Sequence, residues 1–135
     1  MEVLQSATFP IRTQHDIVLI RKEVRTWAMA IGFGIIDQTK VVTAASELAR
    51  NTLDYGGGGD MTLETLQNDN RKAGLKLVFA DQGPGIPNLD LALTDGYTTG
   101  GGLGMGMSGS KRLMNDFQVE TEVGKGTRVT AIKWK

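Results

Sequence analysis

The chain has no cysteine, which excludes disulfides, thiolate chemistry and thiolate metal sites, and its single histidine, His15, cannot build a zinc cluster alone. Neither sign of charge is in excess. Fifteen basic and fifteen acidic side chains cancel, so there is no electrostatic footprint for nucleic acid and no polybasic segment for an anionic membrane surface. Long apolar runs are missing too, and the start, Met-Glu-Val-Leu-Gln-Ser, lacks the basic and apolar regions of a secretory signal. The expectation is a soluble, cytoplasmic protein with no nucleic-acid or membrane partner. Nor does any proline-rich or charge-rich linker divide the 135 residues, so a single domain over 1–135 is expected.

Glycine is what the chain has in abundance: 18 of 135 residues, against a usual share of about 7%. Most of them follow Tyr55 in tight clusters. The preceding half reads as regular structure. Glu2 to Arg12, with Val3, Phe9 and Ile11, predicts a strand. From Asp16 onward Ile17, Ile20, Val24, Trp27 and Ile31 recur in steps of three and four, drawing one apolar stripe on a helix that ends near Gly32. A second helix is expected to start after Asp37, capped by that carboxylate, and to send Val41, Ala45, Leu48 and Thr52 to the core before the run Gly56 to Gly59 ends it.

Met61 to Leu66 and Leu75 to Ala80 read as a hairpin across a polar turn. Asp81 to Pro87 and Asp95 to Gly109 read as loops, and Met107 to Phe117 holds a third helix. Phe117 to Val123 and Thr127 to Trp134 form a second hairpin around Gly124-Lys125-Gly126. Helices early and paired strands later predict an α+β fold, with an antiparallel or mixed sheet covered on one face by about three helices. Gly102-x-Gly104-x-Gly106 lacks the βαβ setting of a dinucleotide fold, and no Walker loop is present.

Three segments carry candidate chemistry. Glu47 and Asn51 stand four apart on the second helix, which puts them on one face about 6 Å apart along the axis. A metal-bound phosphate fits beside both: Asn51 offers Mg2+ a neutral oxygen, and Glu47 can accept a proton from an attacking hydroxyl. In isolation the same spacing describes an exposed helix face. Arg50 is either solvated or within reach of a phosphate.

Asp81-Gln82-Gly83-Pro84-Gly85-Ile86-Pro87 puts a carboxylate at a strand end, followed by glycines at 83 and 85 that admit a ligand to the backbone. The acid suits the exocyclic amine of adenine, although a D-x-G turn closing a hairpin explains the same residues equally well. Gly100-Gly101-Gly102-Leu103-Gly104-Met105-Gly106 leads into a helix, where unobstructed amides and the positive helix end suit phosphate oxygens. Leu103, Met105 and Met107 interrupt the glycines as apolar anchors, which argues against a plain linker. Lys111 and Arg112 are either a solvated basic turn or phosphate contacts, and Thr127 either lends a hydroxyl to the base pocket or is an ordinary strand residue.

In order, Glu47-Leu48-Ala49-Arg50-Asn51, Asp81-x-Gly83-x-Gly85, Gly102-x-Gly104-x-Gly106 and Gly126-Thr127 resemble the nucleotide site of GHKL ATPases. Within that superfamily the chain is similar to serine-protein kinases related to anti-sigma factors, of the RsbT type found in bacterial stress-signalling (stressosome) modules. The resemblance implies a Bergerat-type fold with ATP under a glycine-rich lid of about Tyr97 to Gly106. It implies Glu47 as general base, Asn51 as Mg2+ ligand, Asp81 as adenine anchor, Gly83 and Gly85 beneath the nucleotide, and Gly102, Gly104 and Gly106 around the phosphates.

It also implies the partners: a serine on a small STAS-domain antagonist as acceptor, and a PP2C-type phosphatase engaged after release. Gly56 to Gly59 and Ser108-Gly109-Ser110 depart from the pattern, the former looking loose and the latter replacing an expected proline-containing helix start. An anti-sigma factor that sequesters a sigma subunit, with ATP as its switch, is the second functional reading. An ATPase or histidine-kinase catalytic domain is the third, disfavoured because His15 sits near the start of the first helix with no dimerisation hairpin before it.

Overall fold

The computed structural model describes residues 1–86, 93 and 106–135. In chain order the elements are β1 (Glu2–Ile11), α1 (Gln14–Ala30), α2 (Ile35–Asp54), β2 (Gly59–Gln67), β3 (Ala73–Asp81), α3 (Gly106–Leu113), β4 (Asp116–Glu122) and β5 (Gly126–Trp134). The five strands form one sheet in the order β1-β2-β3-β5-β4, and every neighbouring pair is antiparallel. The two hairpins expected from the turns are both present, and β3 against β5 joins them.

The registers align side chains in rows across the sheet, because directly opposed residues project to the same face. One row runs Phe9–Met61–Phe79–Val129–Val119 and the next Ala7–Leu63–Leu77–Ala131–Phe117. Both rows are apolar and belong to the core beneath the helices. The opposite face carries polar rows such as Thr8–Thr62–Val78–Thr130–Gln118, with the Thr8 and Thr62 hydroxyls 3.0 Å apart. This alternation leaves one face for the core and the other for water.

The stripe on α1 buries Ile17, Ile20, Val24 and Trp27 as the spacing predicts. A capping box starts the helix: Thr13 Oγ1 accepts from the Asp16 amide at 3.3 Å, and the Asp16 carboxylate accepts from the Thr13 and Arg12 amides at 3.1 and 2.8 Å. The helix ends in a Schellman arrangement, with the Phe33 amide donating to the Ala28 carbonyl and the Gly32 amide to that of Met29, each at 3.0 Å.

α2 packs against α1, α3 and strands β1 to β3, so it is the central helix of the layer. Its buried face holds Ala44, Ala45 and Ala49 beside Val41, Leu48 and Thr52, small residues that allow close approach on several sides. Its start differs from the sequence expectation. The cap is Gly34, which contributes no side-chain bond, and the helix begins at Ile35. Asp37 lies inside the first turn, and its carboxylate faces Lys133 Nζ of β5 at 3.8 Å. The third helix starts at Gly106, one residue before the expected Met107 and inside the segment also read as a loop, ends at Leu113 rather than Phe117, and buries Ser108 and Ser110.

Candidate functional site

One row further along the helix-covered face, at the end of the sheet, the pattern changes from apolar to polar. It reads Ile11–Gly59–Asp81–Thr127–Thr121. Asp81 thus ends the central strand, with a side chain missing on one flank and a hydroxyl on the other. Its Oδ1 accepts the Gly83 amide at 2.9 Å, which fixes the carboxylate and begins the loop that follows.

The other boundary of this carboxylate is glycine backbone. A β-carbon added at Gly56 would lie 2.6 Å from Asp81 Oδ2, and one added at Gly83 would lie 2.6 Å from the Cα of Gly56. Gly56, Gly58 and Gly59 are therefore packed against neighbouring segments, while Gly57 has nothing within 4 Å of an added β-carbon. Gly56 lies against the acid and Gly83, and the Gly58 amide donates to the Thr52 carbonyl at 2.9 Å. The same Gly56 closes the C-terminus of α2, its amide donating to the Asn51 carbonyl at 3.2 Å. Asn51 and Asp81, read from sequence as separate motifs, meet at this one residue.

Glu47 and Asn51 both lie on the partly buried flank of α2, the Glu47 side chain 18% exposed. Arg50 Nη1 approaches Glu47 Oε1 at 3.7 Å. A partly exposed pair of this length contributes little to stability, so exchanging the guanidinium onto a phosphate costs little. Gly106 opens α3, which packs on α2, and the unsatisfied amides of its first turn suit an anion. Lys111 and Arg112 occupy the last turn of α3, at the opposite end from those amides, where they complement the helix dipole. Gly102, Leu103, Gly104 and Met105 lie outside the described residues, as does most of the segment expected to form a lid.

Gly85 sits tightly against β4, where an added β-carbon would press on the backbone of Glu122 and Val123. The Gly124 amide also donates to the Pro84 carbonyl at 2.8 Å, binding the loop after Asp81 to the second hairpin. Thr127 has a partner that the sequence reading missed. Its Oγ1 is 2.9 Å from that of Thr121, which also accepts the Ile86 amide at 2.9 Å and approaches the Gly126 carbonyl at 3.2 Å. The signal was available: in a hairpin turning at Gly124-Lys125-Gly126, Thr121 and Thr127 are cross-strand partners.

Residues 36–135 match the family described as histidine kinase-, DNA gyrase B-, and HSP90-like ATPase. The chain is 47% identical over 124 residues to the serine/threonine-protein kinase RsbT of Bacillus subtilis (strain 168), the match covering 92% of each. It is 34% identical over 94 residues to the anti-sigma F factor of Clostridium kluyveri (strain ATCC 8527), covering 67% of this chain and 66% of that protein. Among solved structures, that of the RsbU and RsbW domains of Rv1364c from Mycobacterium tuberculosis superimposes with a TM-score of 0.64 at 16% identity, covering 97% of this chain and 33% of that one. This last likeness is one of fold. The chain belongs to the histidine kinase-, DNA gyrase B- and HSP90-like ATPases, on the branch that holds serine/threonine-protein kinases of the RsbT type and the anti-sigma factors related to them.

Proposed function

We propose that the protein transfers the γ-phosphoryl group of ATP to a serine of a small STAS-domain antagonist in a partner-switching module, and is then released to engage a downstream regulator such as a PP2C-type phosphatase. The observation that carries the nucleotide reading is the convergence at Gly56. Its amide is bonded to the carbonyl of Asn51, and its Cα faces the carboxylate of Asp81. One turn thus brings a phosphate-side helix and a base-side acid to a common wall. The missing side chains at 56 and 83 let Gly56 pack directly on the Asp81 carboxylate and on Gly83, which fixes the acid at the edge of this wall.

In this reading Asp81 accepts from the adenine amine, while Gly83 and Gly85 shape the floor beneath the base. The first-turn amides of α3, with Gly102, Leu103, Gly104, Met105 and Gly106, hold the phosphates. Glu47 takes the proton of the acceptor serine as its oxygen bonds to the γ-phosphorus and the bond to the leaving ADP oxygen breaks. Among the described residues no three acidic or histidine side chains gather to hold a cation. The Asn51 amide oxygen would therefore share Mg2+ with the nucleotide's phosphates and water, the usual coordination of that ion. When bound, Mg2+ neutralises charge on the phosphates.

The test is to incubate the protein with labelled ATP, Mg2+ and candidate STAS-domain proteins, and to follow the label. Transfer to a STAS-domain serine is expected, and Glu47→Ala and Asn51→Ala should each lower its rate by about 100-fold or more without moving the thermal melt appreciably. Wild-type rates in either variant would remove that residue from its role. A second reading follows from the 34% identity to an anti-sigma F factor: the chain sequesters a sigma subunit. Stable sigma binding with no label on any STAS-domain protein would favour it.

A further inference from the structure

The hydroxyl of Thr121 has three neighbours, and they leave little freedom in how its proton and lone pairs are used. It accepts the Ile86 amide at 2.9 Å, faces the Gly126 carbonyl at 3.2 Å and lies 2.9 Å from the Thr127 hydroxyl. A hydroxyl has one proton and two lone pairs. A carbonyl only accepts, so the contact with Gly126 uses the Thr121 proton. An amide only donates, so Ile86 uses one lone pair. The remaining lone pair must then receive the proton of Thr127.

All three contacts are satisfied together only in this arrangement, and its consequence falls on Thr127. With its proton committed to Thr121, the Thr127 oxygen presents only lone pairs to the space beside Asp81, its cross-strand partner in β3. Asp81 is itself an acceptor when ionised. Among the described residues at this wall, ionised Asp81 and Thr127 then present two adjacent acceptors, which the two N–H donors of an exocyclic amino group satisfy and a carbonyl oxygen opposes.

We infer that Thr121 is a positioning residue that sets the proton of Thr127, so that the base pocket selects a six-amino purine and rejects a six-oxo purine. The inference rests on the nucleotide-binding reading above and adds to it a source of base selectivity two strands away from the acid. Thr121 reaches the nucleotide only through Thr127 and through the Ile86 amide. Without its hydroxyl, Thr127 is free to rotate and to donate, which lowers affinity for the amine and relieves the clash of acceptors with a carbonyl.

The experiment measures the dissociation constants of ADP and GDP by competition against a fluorescent adenine nucleotide, for wild type, Thr121→Val, Thr121→Ala and Thr121→Ser. Wild type should prefer ADP. Both variants lacking the hydroxyl should narrow the ADP:GDP ratio by about three- to tenfold, the scale of one neutral hydrogen bond, and Thr121→Ser should restore it. Equal loss of both nucleotides with an unchanged ratio would overturn the inference and leave Thr121 a structural tie. Failure of wild type to bind ADP at all would instead overturn the underlying nucleotide reading. A melt of each variant confirms folding, and Ala and Val differ enough in shape that the folded one decides the matter.

Discussion

Gly126→Ala tests the wall of the site most severely. Gly126 opens β5 at φ +105, and a β-carbon there would collide with the Asp81 carbonyl oxygen and come within 3.0 Å of the Gln82 Cα. Side chains rarely adopt that φ, and residues held in such regions cost on the order of 1–3 kcal/mol. The clash adds to this, because the Asp81 backbone is held by strands on both sides and cannot retreat without breaking its pairing with Thr127. A combined loss of about 3 kcal/mol is expected.

For 135 residues the unfolding entropy is about 0.28 kcal/mol/K, so the melting temperature should fall by about 10 °C. Gly124→Ala is the matched control, since Gly124 lies two residues away at φ +82 with nothing within 4 Å of its added carbon. It should lose only the strain, about 1.5 kcal/mol or 5 °C. Thermal melts and urea titrations of the two variants measure the difference. If Gly126→Ala melts no lower than Gly124→Ala, the claim that β5 presses closely on the Asp81 backbone is wrong.

Two further outcomes concern the surface. Arg71 is the non-glycine residue with positive φ among those described, at +62 in the β2–β3 turn, so Arg71→Gly should stabilise by about 0.5–1 kcal/mol once the greater freedom of unfolded glycine is counted; a lowered urea midpoint would contradict this. The Arg12 amide, with that of Thr13, holds the Asp16 carboxyl below its ordinary value, so the carboxylate's contribution is present above the unfolded value and lost as pH falls through the folded one. Asp16→Asn should therefore destabilise at neutral pH and converge with wild type in acid, and a constant gap across that range in pH-dependent melts would refute the assignment.

The sequence showed most where periodicity or order speaks. The stripe on α1, the buried positions of α2 and both hairpins follow from spacing, and the hairpins were legible because each turn is short and polar. The start of α2 was not. Its cap is a glycine without a side-chain signal, and the exposed Ile35 and Ile36 that follow carry no amphipathic pattern, so the nearby Asp37 drew the boundary three residues too far on.

Within the site, Glu47, Asn51 and Asp81 were visible as motifs. The packing of Gly56 against both Asp81 and Gly83 was not, because it joins segments distant in sequence through atoms that are absent. The run of glycines looked loose for the same reason. Thr121 was overlooked because a threonine in a strand is unremarkable until the register assigns its neighbours.

The antiparallel sheet has two unlike ends, and this matters to anyone who wishes to watch the protein work. Gly59, Asp81 and Gly126 are strand termini at one end, while Gln67 and Ala73 terminate β2 and β3 at the other. Nine-residue strands separate the two by roughly 30 Å. The turn of Asn68 to Lys72 at the remote end is held by its own bonds, the Asn68 side chain accepting the amides of Asn70 and Lys72 at 2.9 Å each. A dye attached through a cysteine introduced at Asp69 would be the only thiol in the chain. It would report tumbling and partner capture from a position that leaves the chemical end of the sheet untouched.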